Sequence, residues 1–529
     1  MGIPSYFSHI IRTYSNIIRS FKELSCTQFG TLFMDCNSII YDAVHTIPYN
    51  HNVPDDYESQ IIDSVIKSIS NYLSIIKPTN TIFIAFDGVA PFAKMEQQRT
   101  RRNRTAITKK ILSQTEDRQW DTSVITPGTN FMTNLSKRVQ HAFENMEQKY
   151  KVSKIIVSGS GSPGEGEHKL FDYLREQHCL NENIALYGLD SDLIMLSIFN
   201  LQHCNNIYIF REAPEFLKHY FPIDKTTSTN MPYFLDMRSL SLSVLTEMNC
   251  MYSSQQRIYD YIFLCFFLGN DFLPHFPAMN IRTHGIQLIL DVYRTHIGNR
   301  PDTFIIDKQN TIQWKYVNKL VSEIAKKEHE LLTIEYSTRS KRDFKKKNTQ
   351  LNLTPDDCLQ NIPVIYRGDE LYICPSDANW NERYYKVLFG GPQSTTNIRD
   401  ICTNYMEGLE WVFKYYTHGC LDWKWSYKYH YPPLLVDLCK YVSDFDMDYF
   451  QEMNVESYNS MVQLAYVLPK ENLSLLPEPV YKYLLTNYNH LYPEQYDFMM
   501  AYCRYFWETH PVLPSISNEV MDKWEKTFI

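Results

Sequence analysis

Seven acidic residues in the N-terminal part of the chain have the types and spacing that a metal-dependent site for phosphodiester cleavage needs. Most of them end a short apolar run or follow a tight turn, where a carboxylate is expected only if a cation lies nearby. Mg²⁺ prefers oxygen ligands, and two such ions can flank a scissile phosphate. The seven residues are Asp35, Asp87, Glu165, Glu167, Asp190, Asp192 and Asp271.

Apolar runs and helical periodicity alternate along the first half of the chain and predict the elements that hold these acids. Strands are predicted at Thr31–Asp35, Thr81–Asp87, Lys154–Ser158, Ile184–Asp190 and Asn206–Phe210. Helices are predicted at Gln60–Ile76 and Phe131–Tyr150, whereas Tyr261–Leu268 fits a buried helix or a buried strand. The pattern indicates an α/β fold with a mostly parallel central sheet flanked by helices. The carboxylates that end its strands should therefore meet at one edge.

The composition changes near Lys326 and divides the chain into three predicted segments. Residues 1–325 form the predicted catalytic core. Residues 326–379 begin with a highly charged stretch ending in Lys341–Lys347, and we expect a helical, solvated connector. A nuclear-localisation or RNA-contacting stretch is the alternative. Residues 380–529 are rich in Tyr, Trp and Pro, and we expect helices with irregular connections that pack on the core.

Bulk properties exclude several classes of protein. A chain of 529 residues is too long for one hydrophobic core, so at least two lobes are expected. No apolar run is long enough to span a bilayer, and the start matches neither a secretory signal nor the myristoylation pattern. Twelve cysteines without paired spacing favour reduced thiols in a soluble intracellular protein. The net charge of −8 does not exclude a polyanionic partner, because bound cations would reverse the sign locally.

A basic helix is predicted directly after Asp87. Lys94, Gln98, Arg101 and Arg102 stand at i, i+4, i+7 and i+8 and so share one face. Arg supplies forked donors and Lys a point charge, a combination suited to a terminal phosphate with several free oxygens. A solvated basic face is the alternative interpretation.

Residues 411–433 interleave aromatic and basic side chains. Exposed Trp and Tyr rings beside Lys can stack on bases without reading their sequence. Most of these rings should belong to the core. Trp423 and Trp425 are the candidates for facing a substrate.

Taken together, several motifs resemble the Xrn-type 5′→3′ exoribonucleases over nearly the whole chain. The matching segments are M-G-I-P-S-Y-F, F-D-G-V-A-P-F-A-K-M-x-Q-Q-R, I-T-P-G-T-x-F-M, P-G-E-G-E-H-K, Y-G-L-D-S-D-L-I-M-L, G-N-D-F-L-P-H, M-E-G-L-E-W-V-F-K-Y-Y-T-H-G-C, Y-H-Y-P-P and Q-L-A-Y-V-L-P-K.

The resemblance implies a core like that of PIN and flap nucleases and processive release of mononucleotides from single-stranded RNA with a 5′ monophosphate. It implies two Mg²⁺ or Mn²⁺ ions at the seven acids. It also implies that Lys94, Gln98, Arg101 and Arg102 form a monophosphate pocket that excludes triphosphates and caps, so that a decapping enzyme must act first. The expected protein is a cytoplasmic monomer without a membrane partner, and the nucleus or, for a viral protein, the host cytoplasm are alternatives.

Two features depart from that family's pattern. The family has a His six positions after the first acid that stacks on the terminal base, and here the position holds Tyr41, which can stack but cannot carry a positive charge. The chain also ends soon after the second conserved region, and the spacing from Met95 to Ile125 is short. We therefore expect a minimal, viral or highly diverged version without partner-recruiting tails.

Three other functions compete with this interpretation. A flap-endonuclease-type DNA nuclease has a similar carboxylate site, but the continuous basic helix and the lack of a recognisable helix–hairpin–helix element disfavour it. A catalytically inactive protein that binds RNA 5′ ends is disfavoured because all seven acids are present. A nucleotide-sugar transferase would use the D-S-D motif but would leave the other acids and the basic helix unexplained.

Overall fold

A computed structural model describes most of the chain. It covers residues 2–49, 54–112, 120–177, 179–188, 190–212, 220, 232–348, 354–391, 394–445, 447–451, 453 and 455–528.

A seven-stranded sheet organises the first half of the chain. Its strands are β1 (Ile18–Arg19), β2 (Thr31–Asp35), β3 (Thr81–Ala85), β4 (Lys154–Ser158), β5 (Asn183–Tyr187), β6 (Asn206–Arg211) and β7 (Tyr233–Asp236). The order across the sheet is β1-β7-β6-β5-β2-β3-β4. Strands β2 to β6 are mutually parallel, β7 runs antiparallel to β6, and β1 pairs antiparallel with β7. The predicted α/β fold with a mostly parallel central sheet is confirmed.

The central strands are buried on both faces, which is why they read as continuous apolar runs. Side chains alternate across the sheet, so Leu32 and Met34 of β2 belong to a different hydrophobic cluster from Phe33 between them. The cluster with Leu32 and Met34 lies under helices α2 (Asn37–Thr46), α3 (Pro54–Ile76) and α5 (Asn130–Phe143). The cluster with Phe33 lies under helices α7 (Gly166–Gln177) and α8 (Asp192–Asn200). Helices on both faces leave the carboxyl edge of the sheet as the place where polar side chains can converge.

Helices make up most of the remaining described structure. In the first half they are α1 (Tyr6–Thr13), α2 (Asn37–Thr46), α3 (Pro54–Ile76), α4 (Phe92–Leu112), α5 (Asn130–Phe143), α6 (Glu147–Tyr150), α7 (Gly166–Gln177), α8 (Asp192–Asn200), α9 (Met237–Met248), α10 (Arg257–Phe266), α11 (Gly285–Tyr293) and α12 (Trp314–Ala325). Later come α13 (Glu328–Asn348), α14 (Pro355–Gln360), α15 (Ile362–Ile365), α16 (Gly368–Ile373), α17 (Trp380–Leu388), α18 (Thr395–His418), α19 (Leu435–Leu438), α20 (Ser460–Val467), α21 (Glu478–Tyr488) and α22 (Asn518–Thr527). Two short strands, β8 (Phe498–Met499) and β9 (His510–Pro511), pair near the end.

The five predicted strands all exist: Thr31–Asp35 and Lys154–Ser158 have the predicted bounds, and the other three have shifted ends. Tyr261–Leu268, left open between helix and strand, lies mostly in helix α10. The single helix predicted over Phe131–Tyr150 is wrong, because Asn145 takes a left-handed backbone conformation (φ 58°) that separates α5 from α6. Strands β1 and β7 were not predicted, since two and four residues are too few for a period-two pattern.

The charged stretch after residue 326 is helical, as predicted, but it is not solvated along its whole length. Helix α13 buries Glu328, Glu335 and Arg339. The Arg339 guanidinium donates to Glu370, with Nε 2.9 Å from Oε2, and to the carbonyl oxygen of Cys503. This pairing supplies the compensation that a buried charge requires.

The end of α13 remains exposed at Lys341 and Lys345, whereas the last two side chains of the segment Lys341–Lys347 lie outside the described residues. The nuclear-localisation alternative, like the domain boundaries at 325 and 379, stays a prediction.

The C-terminal region is mainly helical, as predicted, and it packs against the elements that carry the acids. Phe92 and Met95 of α4 share a hydrophobic cluster with Leu464 of α20 and Trp524 of α22. Helix α18 contributes to the same core as the sheet. Within the described residues, no helix combines the length and hydropathy needed to cross a membrane.

Candidate metal-dependent active site

Asp35 and Asp87 meet at the carboxyl edge of the sheet. Asp35 is the last residue of β2 and pairs in register with Ala85, so Asp87 lies two residues beyond the same edge. The Asn37 side chain holds Asp87 on two sides, because its amide donates to Asp87 Oδ2 and its Oδ1 accepts from the Asp87 N–H at 3.1 Å. The Gly166 N–H donates to Asp87 Oδ1 at 2.7 Å. The strand ends thus bring the two carboxylates together as predicted.

The turn that starts α7 brings in Glu165 and Glu167, both buried. Gly164 has φ 102°, a conformation that favours glycine, and it turns the chain into the helix. Gly166 is required for close approach, since a Cβ there would lie 2.5 Å from Asp35 Oδ1. Glycine at this position lets the helix N-terminus reach the strand-end carboxylates.

The remaining three acids come from two further segments. Asp192 is the first residue of α8 and is buried, whereas Asp190, just before it, is exposed. Asp271 follows α10 in a loop in which Gly269 takes φ 85°. Electrostatic interactions link Asp192 and Asp271 to each other and to Lys94, so both acids belong to the same cluster.

Lys94 lies among the acids. Its Nζ is 2.5 Å from Glu165 Oε1 and 2.7 Å from Asp271 Oδ2. Although burial opposes ionisation, Lys94 lowers the pKa of the Asp271 carboxyl to about 2. Lys94 is predicted in the terminal-phosphate pocket, and in this structure its ammonium group pairs with two of the acids.

The acids carry more negative charge than Lys94 can balance. Burial first, and then the charge of Asp87, raises the pKa of Asp35 well above its ordinary value. Burial and the neighbouring Glu165 do the same for Glu167, and burial raises the pKa of Asp192 to about 6. The Oδ1 atom of Asp35 is buried without a hydrogen-bond partner among the described residues. Such a cluster of buried carboxylates indicates a missing positive charge.

Two groups of side chains could supply ligands for divalent cations. Oxygens of Asp35, Asp87 and Glu167 all lie within 4.8 Å of one another, and so do ligand atoms of Glu165, Glu167 and His168. The mostly carboxylate donor set and the unpartnered oxygen of Asp35 fit a hard divalent cation. The clusters can therefore bind metal.

His168 was missed by sequence reasoning, although it stands in the P-G-E-G-E-H-K motif. Its ring stacks on Tyr415 with centroids 3.6 Å apart, and its Nδ1 is buried without a partner among the described residues. Burial lowers the pKa of His168, which leaves a neutral imidazole at neutral pH. A neutral imidazole can ligate a metal.

Helix α18 provides two further residues that the sequence did not indicate. The Tyr415 hydroxyl donates to Glu165 Oε2 at 2.9 Å, and the Tyr416 hydroxyl donates to Asp192 Oδ1 at 2.9 Å. Both tyrosines are buried. Adjacent residues of one helix thus hold two carboxylates that arrive from separate elements of the core.

A cavity of about 510 Å³ lies beside the second half of α4. Tyr41, Arg101 and Arg102 line it. Arg102 donates to the carbonyl oxygens of Ser123 and Ile125, at 3.5 and 3.3 Å, and its buried Nε has no partner among the described residues. A buried guanidinium with a free donor beside an aromatic ring is suited to a phosphate attached to a base.

Gln98 does not line this cavity. It is buried and accepts a hydrogen bond at 3.3 Å from the side chain of Gln463 in α20. The structure therefore places Arg101, Arg102 and Tyr41 around one cavity and puts Lys94 and Gln98 elsewhere on α4.

The two candidate tryptophans differ in their surroundings. Trp423 lies beside the turn of the acids, with its Cη2 4.0 Å from the position a Cβ on Gly164 would take. Its carbonyl oxygen accepts from the Phe92 N–H at 2.8 Å. Trp425 stacks on Trp411, with ring centroids 5.1 Å apart. Trp423 is therefore the one beside the acids, and Trp425 is largely committed to packing.

Comparison with known sequences agrees with this arrangement. The sequence-family model for the XRN 5′-3′ exonuclease N-terminus matches residues 1–213, and the sequence-family model for the Xrn1 helical domain matches residues 251–363 and 375–527. The chain is 26% identical to the 5′-3′ exoribonuclease 2 homolog of Drosophila melanogaster, over 99% of this chain and 70% of that protein. It is 28% identical to the 5′-3′ exoribonuclease 1 of Homo sapiens, over 98% of this chain but only 34% of that protein.

The raised carboxyl pKa values predict how stability depends on pH without divalent metal. Asp192 has a pKa of about 6 in the folded protein, so between pH 4 and 6 it holds a proton that the unfolded chain has released. The stability that this proton adds to the folded state is therefore fully present below pH 4 and is lost as pH rises through 6. The free energy of unfolding of the wild type should fall over this range by about 3 kcal/mol more than that of Asp192→Asn. Urea unfolding at several pH values measures this difference, and parallel curves for the two proteins would contradict it.

Removing the hydroxyl of Tyr416 should weaken metal binding. Without the donor, the Asp192 carboxylate is no longer held in place, and we expect Tyr416→Phe to lower Mn²⁺ affinity by roughly ten- to hundredfold in calorimetric titrations. Tyr415→Phe is the matched control from the same helix. Its effect should be smaller, because Lys94 still holds Glu165. Unchanged affinity in Tyr416→Phe would contradict a positioning role.

Proposed function

The chain belongs to the XRN family of 5′-3′ exonucleases, and from this premise we propose that it degrades single-stranded RNA with a 5′ monophosphate into mononucleotides. Its enzymatic activity is that of a 5′-3′ exoribonuclease, the activity for which its relatives from fly and human are named. The preference for a 5′ monophosphate and the use of two metal ions are the parts of the proposal that go beyond family membership and the names of the relatives.

The observation that carries the proposal is the division of α4 between two sites. Lys94 reaches the acids, whereas Arg101 and Arg102, about two turns further along the helix, line the separate cavity. Seven residues of helix span about 10 Å, the scale of a single nucleotide. A terminal phosphate held by the arginines would therefore place the next phosphate of the strand near the acids. This spacing explains the release of one nucleotide at a time.

Tyr41 and the two arginines would act together on the terminal nucleotide. The arginines bind the 5′ phosphate through charged N–H donors, and the half-buried Tyr41 ring is available for the base to stack on. Because Tyr carries no positive charge, its contribution is stacking. Trp423, beside the turn that carries Glu165, is the second candidate for contact with a base.

The acids would hold two divalent ions, Mg²⁺ or Mn²⁺. Asp35, Asp87 and Glu167 would form one group of ligands, and Glu165, Glu167 and His168 would form a second. Asp190, Asp192 and Asp271 interact with this cluster and could complete either group. Bound metal would supply activation of water and neutralisation of charge on the scissile phosphate. Tyr416 and Asn37 orient the carboxylates for this task.

Three further elements of the proposal rest on the resemblance alone. They are a preceding decapping reaction by another enzyme, action as a monomer and action in the cytoplasm. The exclusion of triphosphate and cap structures is likewise a part of the proposal that rests on the resemblance.

The end-group preference can be tested with RNAs of one sequence that carry a 5′ monophosphate, a 5′ hydroxyl or a 5′ triphosphate. We expect the monophosphate RNA to be degraded roughly ten- to hundredfold faster than the others, the factor that loss of charged hydrogen bonds produces. Arg102→Gln should remove the preference, whereas Arg12→Gln, at an exposed arginine on α1, should keep it. Equal rates on all three RNAs with the wild-type enzyme would contradict the phosphate pocket.

The catalytic role of the acids can be tested with Asp192→Asn, because the amide keeps the shape of the side chain and removes its charge. Release of nucleotides should fall at least a thousandfold, while circular dichroism and RNA binding remain as in the wild type. Full activity in this variant would contradict the metal-site assignment. Tight binding of RNA by the wild type without release of nucleotides would favour an inactive end-binding protein, and preferred cleavage of flap DNA would favour the DNA nuclease.

A further inference from the structure

A second cavity, of about 1070 Å³, opens from the acid cluster on another side of α4. Asp271 lines it on the side of the acids, and Arg101 lines both this cavity and the terminal-phosphate cavity. Arg282 and Trp507 also line it, as do residues of the N-terminal segment including Ser5. The cavity thus connects the acids with a part of the surface that the proposed reaction has not used.

Trp507 and Arg282 line this cavity, and the Tyr505 ring, which does not line it, packs on Trp507. The rings of Tyr505 and Trp507 stack with centroids 5.9 Å apart and planes 14° apart. Trp507 is 42% exposed, which is unusual for a tryptophan beside a cavity that contains charged groups. The Arg282 guanidinium lies 5.9 Å from both ring centroids, and its Nε donates to Ser5 Oγ at 2.9 Å.

Positive charge collects around these rings. Arg282 forms an ion pair with Glu508 at 2.7 Å, and Arg504 lies over the Tyr505 ring at 5.0 Å. Within the described part of the chain, the Arg504 guanidinium forms no ion pair, so it is available to a phosphate beside the aromatic stack.

We propose that four residues form a binding platform for single-stranded RNA on the 3′ side of the scissile phosphate. Its members are Arg282, Arg504, Tyr505 and Trp507. The inference rests on the proposed function, because it takes the strand held at the acids as the occupant.

Two observations favour this occupant. The second cavity is continuous from Asp271 to Trp507, so a strand cut at the acids has a path to the platform. Exposed aromatic rings next to an unpaired arginine bind single strands without regard to sequence, since every base can stack and every phosphate is charged. An enzyme that digests along a strand needs such tolerance. The platform would keep hold of the RNA while each nucleotide leaves.

The test compares a short and a long substrate in binding experiments without turnover. In the Asp192→Asn background, the affinities of a 5′-phosphorylated dinucleotide and of a 5′-phosphorylated twenty-nucleotide RNA are measured by competition against a labelled RNA. Adding Trp507→Ala should weaken binding of the long RNA about tenfold or more, the loss expected for one stacked base, and leave the dinucleotide unchanged. Trp507→Phe keeps a ring for stacking and should restore most of the affinity for the long RNA.

Arg504→Gln tests the charge contribution and covers the case in which Trp507→Ala misfolds. The slope of the logarithm of long-RNA affinity against the logarithm of salt concentration should become shallower by about one unit, as expected for one lost phosphate contact. Tyr366→Ala, at a tyrosine that is 71% exposed and does not line the cavity, is the matched control and should change neither affinity.

The two proposals fail in different ways. Equal weakening of both ligands by Trp507→Ala, or no weakening of the long RNA by either platform variant, would overturn the platform while leaving the nuclease intact. Failure of the wild-type enzyme to degrade RNA would overturn the proposed function itself.

Discussion

Mutual repulsion among buried carboxylates is the constraint on which the rest of this structure depends. Asp35, Glu165, Glu167 and Asp192 are all buried at one edge of the sheet, where the low dielectric strengthens their repulsion. Lys94 forms ion pairs with Glu165 and Asp271 within this cluster. The carboxylates stay close together because the surrounding helices and strands pack tightly and hold these side chains in place. Divalent metal would convert this repulsion into a preformed binding site.

The helical C-terminal region is part of that restraint. Helix α18 buries Tyr415 and Tyr416 and directs their hydroxyl groups onto two of the carboxylates. Tyr415 also belongs to a column of stacked rings that continues to Trp411 and Trp425 in one direction and to His168 in the other. Because the column is closely packed, a shift at one end would be transmitted to the ligands of the site. The region therefore shapes the chemistry of the core even though it supplies none of the seven acids.

In the proposed function, helix α4 links recognition to cleavage. Its first two turns contact the acids and pack on α20 and α22, and its second half borders the cavity lined by Arg101 and Arg102. In the proposed function, a rigid helix would keep the distance between the end-binding and cleaving sites constant, and the length of the released product would follow from that distance. The platform at Trp507, on another side of the same helix, would add a hold on the strand that remains.

The sequence by itself determined the fold class, the five parallel strands and the convergence of the strand-end acids. It could do so because strand periodicity is local and parallel strands share one carboxyl edge. Only the tertiary structure decided that Lys94 pairs with Glu165 and Asp271, that Gln98 bonds to Gln463 and that Trp425 stacks on Trp411. It also revealed Tyr415 and Tyr416, whose partners lie more than 200 residues away in the chain. The physical reason is that spacing along a helix fixes which face a side chain occupies, whereas its partner is set by whatever distant element packs against that face.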